Sequence, residues 1–316
     1  PLVGTGRWSV ISGGGTIADT SLINSAISGL SVGNNVFRFT VRNGVCQVRT
    51  DDIIVTRFAP PSLANAGPNQ TICTAQTALL AEVPAVGTGV WSLVSGNGQF
   101  SDSTAFNSTV SGLTSGDHVF RWTVTNGPCA ASTDEVLITR NAAPAVADAG
   151  SDQQICTDAS ALGAVVPLVG TGSWSLVSGS GTIADTLLPN SAVSGLGFGD
   201  NVFAWTVRSG VCPPSVDQIT IRRDTPPSAS NAGANQQICA DSSVLAATSP
   251  LIGTGTWSLI SGAGTIANPA SPGSSVNGLG VGNNVFQWEV RNGVCPAATS
   301  TVTILVDAPA SVANAG

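Results

Sequence analysis

The stretch Val119-Phe120-Arg121-Trp122-Thr123-Val124-Thr125-Asn126-Gly127-Pro128-Cys129 decides the fold. Phe120, Trp122 and Val124 alternate with Arg121 and Thr123, the period of two expected of a strand with one buried and one wet face. Asn126-Gly127 then supplies a tight turn, because both residues accept positive φ cheaply. The phrase recurs as Val36-Phe37-Arg38-Phe39-Thr40-Val41 with Gly44 and Cys46, as Val202-Phe203-Ala204-Trp205-Thr206-Val207 with Gly210 and Cys212, and as Val285-Phe286-Gln287-Trp288-Glu289-Val290 with Gly293 and Cys295. Each copy follows the last by 83 residues, so the chain is a tandem array.

Working outward in the second copy, strands are expected at Gln70–Cys73, Ala78–Val83, Val90–Ser95, Gln99–Ser101, Ser108–Leu113, His118–Thr125 and Glu135–Arg140. Seven short strands with turn signals about every ten residues read as an immunoglobulin-like β-sandwich. Pro- and Ala-containing linkers ending in Ala-Gly separate the copies: Phe58–Gly67, Asn141–Gly150, Asp224–Gly233 and Asp307–Gly316. The expected division is an incomplete repeat at 1–59 lacking its first strands, complete repeats at 60–142, 143–225 and 226–308, and a linker at 309–316 leading into a further repeat. An odd number of strands puts the two termini of each repeat at opposite ends, so the array is expected to run end to end as a rod. Pro1 aligns with Pro84 and Gly316 with Gly67, so the 316 residues are expected to be an excerpt of a longer array.

Charged residues make up 9% of the chain, against about 25% in a typical soluble domain. The net charge of −7 is spread without any basic cluster, which argues against nucleic acid. No apolar run approaches the ~18 residues of a membrane-spanning helix. The seven cysteines fall at two positions of the repeat, Cys73, Cys156 and Cys239 after Gln-x-Ile, and Cys46, Cys129, Cys212 and Cys295 after the turn glycine. With no Cys-x-x-Cys and a single histidine, they read as disulfide partners in an oxidising, extracellular place rather than as zinc ligands. Pairing within a repeat gives Cys73–Cys129, Cys156–Cys212 and Cys239–Cys295, with the partner of Cys46 outside the chain. It is favoured because domains usually close their own staples, and it requires a first strand that is short or kinked at its Ala-Gly. A full-length first strand would instead carry Cys73 to the joint with the following repeat, giving Cys73–Cys212 and Cys156–Cys295.

Ala-Gly-x-x-Gln-x-Ile-Cys, the Gly-Thr-Gly-x-Trp-Ser segment (Gly87–Ser92) and Val-Phe-x-Trp-x-Val resemble the PKD-like, immunoglobulin-like repeats of giant bacterial surface proteins, particularly those of Bacteroidota. The resemblance implies a secreted adhesin, in some cases one of gliding cells exported by the type IX pathway. It carries no catalytic residues over to this chain, and no metal or cofactor is expected.

The remaining candidates read as structural. Trp91, Trp174 and Trp257 on the third strand, with Trp122, Trp205 and Trp288 on the sixth, are expected to form core pairs from facing sheets rather than sugar platforms. Trp8 and Phe39 are the equivalents in the first copy. Asp148 and Asp152 flank a linker where calcium would stiffen a joint, but their equivalents are Asn65, Asn69, Asn231 and Asn235, which lack the carboxylates that a hard cation prefers. His118, replaced elsewhere by Asn35, Asn201 and Asn284, reads as a solvated turn residue. Gly-rich Ser12–Gly15 precedes a strand rather than a helix, which excludes a phosphate loop. Asp102-Ser103-Thr104 and Asp185-Thr186-Leu187 resemble bacterial O-glycosylation acceptors, and Asn69-Gln70-Thr71 and Asn107-Ser108-Thr109 fit the N-glycan sequon. The expected function is a stalk or filament segment of a secreted surface adhesin. Its partners would be neighbouring repeats, other copies in a filament or bundle, and surface polysaccharide. The alternatives are a self-assembling extracellular fibre, and a spacer or carbohydrate-binding array of a polysaccharide-active enzyme.

Overall fold

A computed structural model describes residues 2–313; Pro1 and the last three residues of the 309–316 linker lie outside the described residues. Every regular element among the described residues is a strand. One compact unit holds the residues up to Ala142 together with Gly210–Cys212, and a second holds Ala143–Ser209 and the residues from Pro213 onward.

In the first unit, β1 (Thr5–Ser12), β4 (Gly33–Arg42) and β5 (Arg49–Arg57) form one sheet in the order β1-β4-β5, and β2 (Thr16–Ile17) pairs with β3 (Ile27–Ser28). The next seven strands are β6 (Gln70–Ile72), β7 (Gln76–Ala78), β8 (Thr88–Ser95), β9 (Gln99–Phe100), β10 (Thr109–Ser111), β11 (Gly116–Thr125) and β12 (Ser132–Arg140). They form a four-stranded sheet, β6-β12-β11-β8, and a three-stranded sheet, β7-β10-β9. The second unit repeats this arrangement twice. Strands β13 (Gln153–Ile155), β14 (Ala159–Ala161), β15 (Thr171–Ser178), β16 (Thr182–Ile183), β17 (Ala192–Ser194), β18 (Gly199–Arg208) and β19 (Ser215–Arg223) form β13-β19-β18-β15 and β14-β17-β16. Strands β20 (Gln236–Ile238), β21 (Ser242–Val244), β22 (Thr254–Ser261), β23 (Thr265–Ile266), β24 (Ser275–Asn277), β25 (Gly282–Arg291) and β26 (Ala298–Val306) form β20-β26-β25-β22 and β21-β24-β23. Each complete repeat is thus an immunoglobulin-like sandwich of four and three strands.

Alternation dictates the core. Phe120, Trp122 and Val124 of β11 point inward with Trp91 of β8 and Val136 and Ile138 of β12, against Val110 of β10 and Leu79 beyond β7. The tryptophan pairs do not come from facing sheets as expected. β8 and β11 are neighbours, and Trp91 lies directly opposite Trp122 in their register. The pair is cross-strand, with ring centroids 5.0 Å apart, and Trp174–Trp205 and Trp257–Trp288 repeat it at 5.0 and 5.1 Å. Alternation fixes which face a residue occupies but not which strand lies beside it, so sheet membership was not readable from the pattern. A glycine makes room for the inner ring: a Cβ on Gly172 would sit 2.0 Å from Trp205 Cζ2. Trp8 and Phe39 are only half-buried, at a centroid distance of 4.9 Å.

The second strand also departs from expectation. It is β7 at Gln76–Ala78, and the 79–83 stretch leaves the regular ladder. There Leu79 and Ala81 still donate to the carbonyls of Ser108 and Phe106, but the Glu82 N–H turns to Asn65 O at 2.9 Å. That bond belongs to the entering segment, which begins beside residues 80–82 and then crosses to the other sheet. Gly67 makes the crossing at φ +83°, where a Cβ would lie 2.4 Å from the Leu80 carbonyl. Beyond it, β6 pairs with β12 in parallel, Gln70, Thr71 and Ile72 lying opposite Ile138, Thr139 and Arg140. The first strand is therefore both short and kinked at its Ala-Gly.

Candidate functional site: the cystine joint

The parallel pairing of first and last strands decides where the cysteines go. Ile72 lies level with Arg140, and the Asn141 N–H continues the pairing to Ile72 O at 2.8 Å. Cys73 is therefore carried to the end of β12. Cys129 precedes the start of that strand, which spans about 30 Å at ~3.3 Å per residue. A disulfide needs Cα atoms within about 7 Å, so the favoured within-repeat bridges cannot form. The structure instead joins Cys73 to Cys212 and Cys156 to Cys295, each with Cα atoms 5.0 Å apart and 139 residues of separation. Cys46, Cys129 and Cys239 are free thiols, which overturns the Cys73–Cys129, Cys156–Cys212 and Cys239–Cys295 pairing. Shortness and kinking at Ala-Gly, expected to bring Cys73 toward Cys129, in fact set β6 against β12 in parallel and carry Cys73 away from it.

Each bond sits beside a backbone clamp, seen in full in the second unit. The Asp224 N–H extends β19 by donating to Ile155 O at 2.8 Å, one residue before Cys156. The turn Asn292–Cys295 closes over Asp224 from the following repeat. Val294 N–H donates to Asp224 Oδ2 at 2.8 Å, and Asn292 Nδ2 donates to Thr225 O at 2.7 Å. Gln154 Nε2 adds a second bond to the same carboxylate at 2.8 Å, and Arg222 Nε lies 3.6 Å from Oδ1. Asp224 is 8% exposed. The Val294 N–H, then Gln154 and Arg222, hold its carboxyl below the usual carboxylate range against the cost of burial. Gly293 turns at φ +51°, and a Cβ on it would fall 1.7 Å from Asp224 Oδ2. The Asn-Gly turn, legible in the sequence as a hairpin signal, is thus a gripping surface as well.

The first unit contains the same clamp with different residues. Asn141 takes the place of Asp224, and its Oδ1 accepts the Val211 N–H at 3.0 Å beside Cys212. A Cβ on Gly210 would lie 2.0 Å from that oxygen. At Asn126-Gly127 the gripped residues are Phe58 and Ala59. The Phe58 ring fills the space over Gly127, and Asn126 Nδ2 donates to Ala59 O at 2.9 Å. The Cys129 thiol sits 3.8 Å from Phe58 O and 3.5 Å from Ala59 O, as Cys212 Sγ sits 3.7 Å from Asn141 O and 3.5 Å from Ala142 O. Cys129 therefore occupies the same cradle as the bonded Cys212.

The other candidates resolve into structural roles. Trp122, Trp205 and Trp288 are at most 1% exposed, so they present no stacking platform. Asp148 Oδ1 accepts Gly150 N–H at 2.9 Å and Asp152 Oδ1 accepts Thr220 N–H at 2.8 Å. Asn65, Asn69, Asn231 and Asn235 make the equivalent bonds, because the kink needs a side-chain oxygen and not a charge. Among the described residues no three His, Cys, Asp or Glu side chains gather as a metal site would require.

His118 is not a solvated turn residue. It is 1% exposed on β11, its Nδ1 accepting Asn97 N–H at 3.0 Å and its Nε2 donating to Thr114 O at 2.8 Å. Asn201 performs the same service in the third repeat, with Oδ1 accepting from Ser180 and Nδ2 donating to the Gly197 carbonyl, both at 2.9 Å. The signal was in the sequence. His118 shares the parity of Phe120, Trp122 and Val124, which places it on the buried face.

No protein-family model matches the chain, and no curated protein sequence matches it. Solved structures are similar to it only distantly. Drosophila OTK extracellular domains 3–5 cover 80% of this chain and 97% of their own at 9% identity, with a TM-score of 0.40. Sidekick-1 immunoglobulin domains 1–5 cover 96% of this chain and 74% of their own at 12% identity, with a TM-score of 0.37. The insect immune protein hemolin covers 96% and 91% at 12% identity, with a TM-score of 0.30.

Proposed function

We propose that this chain is a structural stalk segment of a secreted surface adhesin, of the bacterial kind its repeat motifs resemble. Its partners are its own neighbouring repeats, and its place is extracellular. The observation that carries this reading is the cystine joint. The disulfides Cys73–Cys212 and Cys156–Cys295 tie consecutive repeats to each other rather than closing each repeat on itself. A chain built to hold position between two ends gains from bonds across its joints, where a catalytic or ligand-binding domain would gain from bonds around its site. Disulfides on this scale also need an oxidising compartment. The polar positions that recur in every complete repeat, such as Asn69, Asp152 and Asn235, are each engaged in holding a backbone N–H group. With the tryptophans buried, a carbohydrate-binding array is the weaker reading. Attachment and gliding are the settings in which such a stalk would work, and type IX export is the route the resemblance suggests.

Labelling of intact producing cells with an antibody raised against residues 60–308 tests the proposal. Label displaced outward from the envelope is the expected result. Label that appears only after permeabilisation, or turnover of a polysaccharide by the purified chain, contradicts it.

A further inference from the structure

The two disulfides interleave. Cys156 lies inside the loop closed by Cys73–Cys212, and Cys212 lies inside the loop closed by Cys156–Cys295. In each bond one cysteine ends a first strand and the other precedes a last strand: Cys73 follows β6 and Cys212 precedes β19, Cys156 follows β13 and Cys295 precedes β26. First and last strands are the parallel neighbours of each repeat. A pull on a repeat enters along its first strand and leaves along its last. In a parallel pair those two forces slide the strands past each other, so the hydrogen bonds between them are loaded together instead of opening one at a time.

We propose that the interleaved disulfides form a tension path, two covalent bridges joined through the hydrogen bonds of β13 and β19, that carries load along the first and last strands of the folded repeats and limits the length that can be drawn out once they open. This deepens the stalk reading and rests on it. Tension arriving at Cys73 crosses to Cys212 without passing through β7–β12, and tension arriving at Cys156 crosses to Cys295 in the same way. If every sandwich were pulled open, the taut path from Cys73 to Cys295 would still run only through Cys212 and back to Cys156. That is 56 residues (212 − 156), about 200 Å at ~3.6 Å per residue. With both bonds reduced it is 222 residues (295 − 73), about 800 Å. The joint thus sets a ceiling on extension that reduction by a thiol removes.

Single-molecule force–extension of the whole 316-residue chain, with and without a thiol reductant, reads this directly. Reduction should lengthen the fully extended chain by about 600 Å. The Cys129→Ser/Cys239→Ser variant leaves both bonds in place and should show the same gain. Bonds within repeats would cut that variant's gain to about 200 Å, because only Cys156–Cys212 would survive, and this result overturns the proposal. An unreduced wild-type chain that extends as far as the reduced one overturns it too. Tryptophan fluorescence establishes that the variant is folded before it is pulled, since each complete repeat buries its Trp pair. Failure of the surface labelling would remove the stalk and leave these lengths unchanged, so the two tests fail separately.

Discussion

At position 118 and its equivalents a single buried polar residue fastens the turn before β11 or its counterpart. His118 meets the turn with two ring nitrogens, and Asn35, Asn201 and Asn284 meet it with an amide. Both side chains offer one acceptor and at least one donor at similar reach, which explains why the array tolerates either. His118→Asn should therefore shift stability by less than about 1 kcal/mol. Asn201→Leu removes the partner of several buried backbone groups and should cost about 1–3 kcal/mol. Urea denaturation midpoints of the two variants check this, and comparable losses in both would contradict it. Burial at this position could be read from parity along the strand. Its partners could not, because they lie on loops such as Asn97 and Thr114 whose approach depends on the folded turn.

The joint is the element through which the repeats act on one another, and its grip is partly electrostatic. The folded-state pKa of Asp224 is depressed, chiefly by the Val294 N–H and by Gln154. A group of this kind contributes stability that is fully present above the unfolded carboxyl pKa of about 3.9 and is lost as pH falls through the lower folded value. The amide at the equivalent position, Asn141, holds Val211 with no charge at all. Protection of the Val294 amide from hydrogen exchange, corrected for its intrinsic rate, should therefore decline below about pH 4 while that of Val211 stays level. In Asp224→Asn the two should behave alike. A decline that persists in Asp224→Asn would show that another group controls the joint. The sequence displayed the gripping turn, Asn-Gly-x-Cys or, at Ser209–Cys212, Ser-Gly-x-Cys, but not what it grips. Positions 58, 141 and 224 are Phe, Asn and Asp, and nothing in that set announces a common role.

Over the whole molecule, the repeat length, the strand count and the inward residues could be read from the alternation around Phe120 and Trp122 and from the spacing of Cys46, Cys129, Cys212 and Cys295. The bond pattern could not. Loops of 56 and 139 residues differ by less than about 1 kcal/mol in closure entropy, so chain statistics do not choose between them. The choice falls to three residues, Gln70–Ile72, which lie parallel to β12 and carry Cys73 to the end away from Cys129. Parallel pairing of so short a strand leaves no periodic mark, and the glycine kink before it suits either outcome. The same ambiguity put Trp91 and Trp122 in facing sheets when they are neighbours in one. The central claim is that covalent bonds cross the joints. It is tested most directly by digesting the purified, unreduced chain after its free thiols have been alkylated, and identifying the linked peptides by mass spectrometry. Peptides joining Cys73 to Cys212 and Cys156 to Cys295, with alkylated Cys46, Cys129 and Cys239, are expected; a peptide joining Cys73 to Cys129 would contradict bonds across the joints.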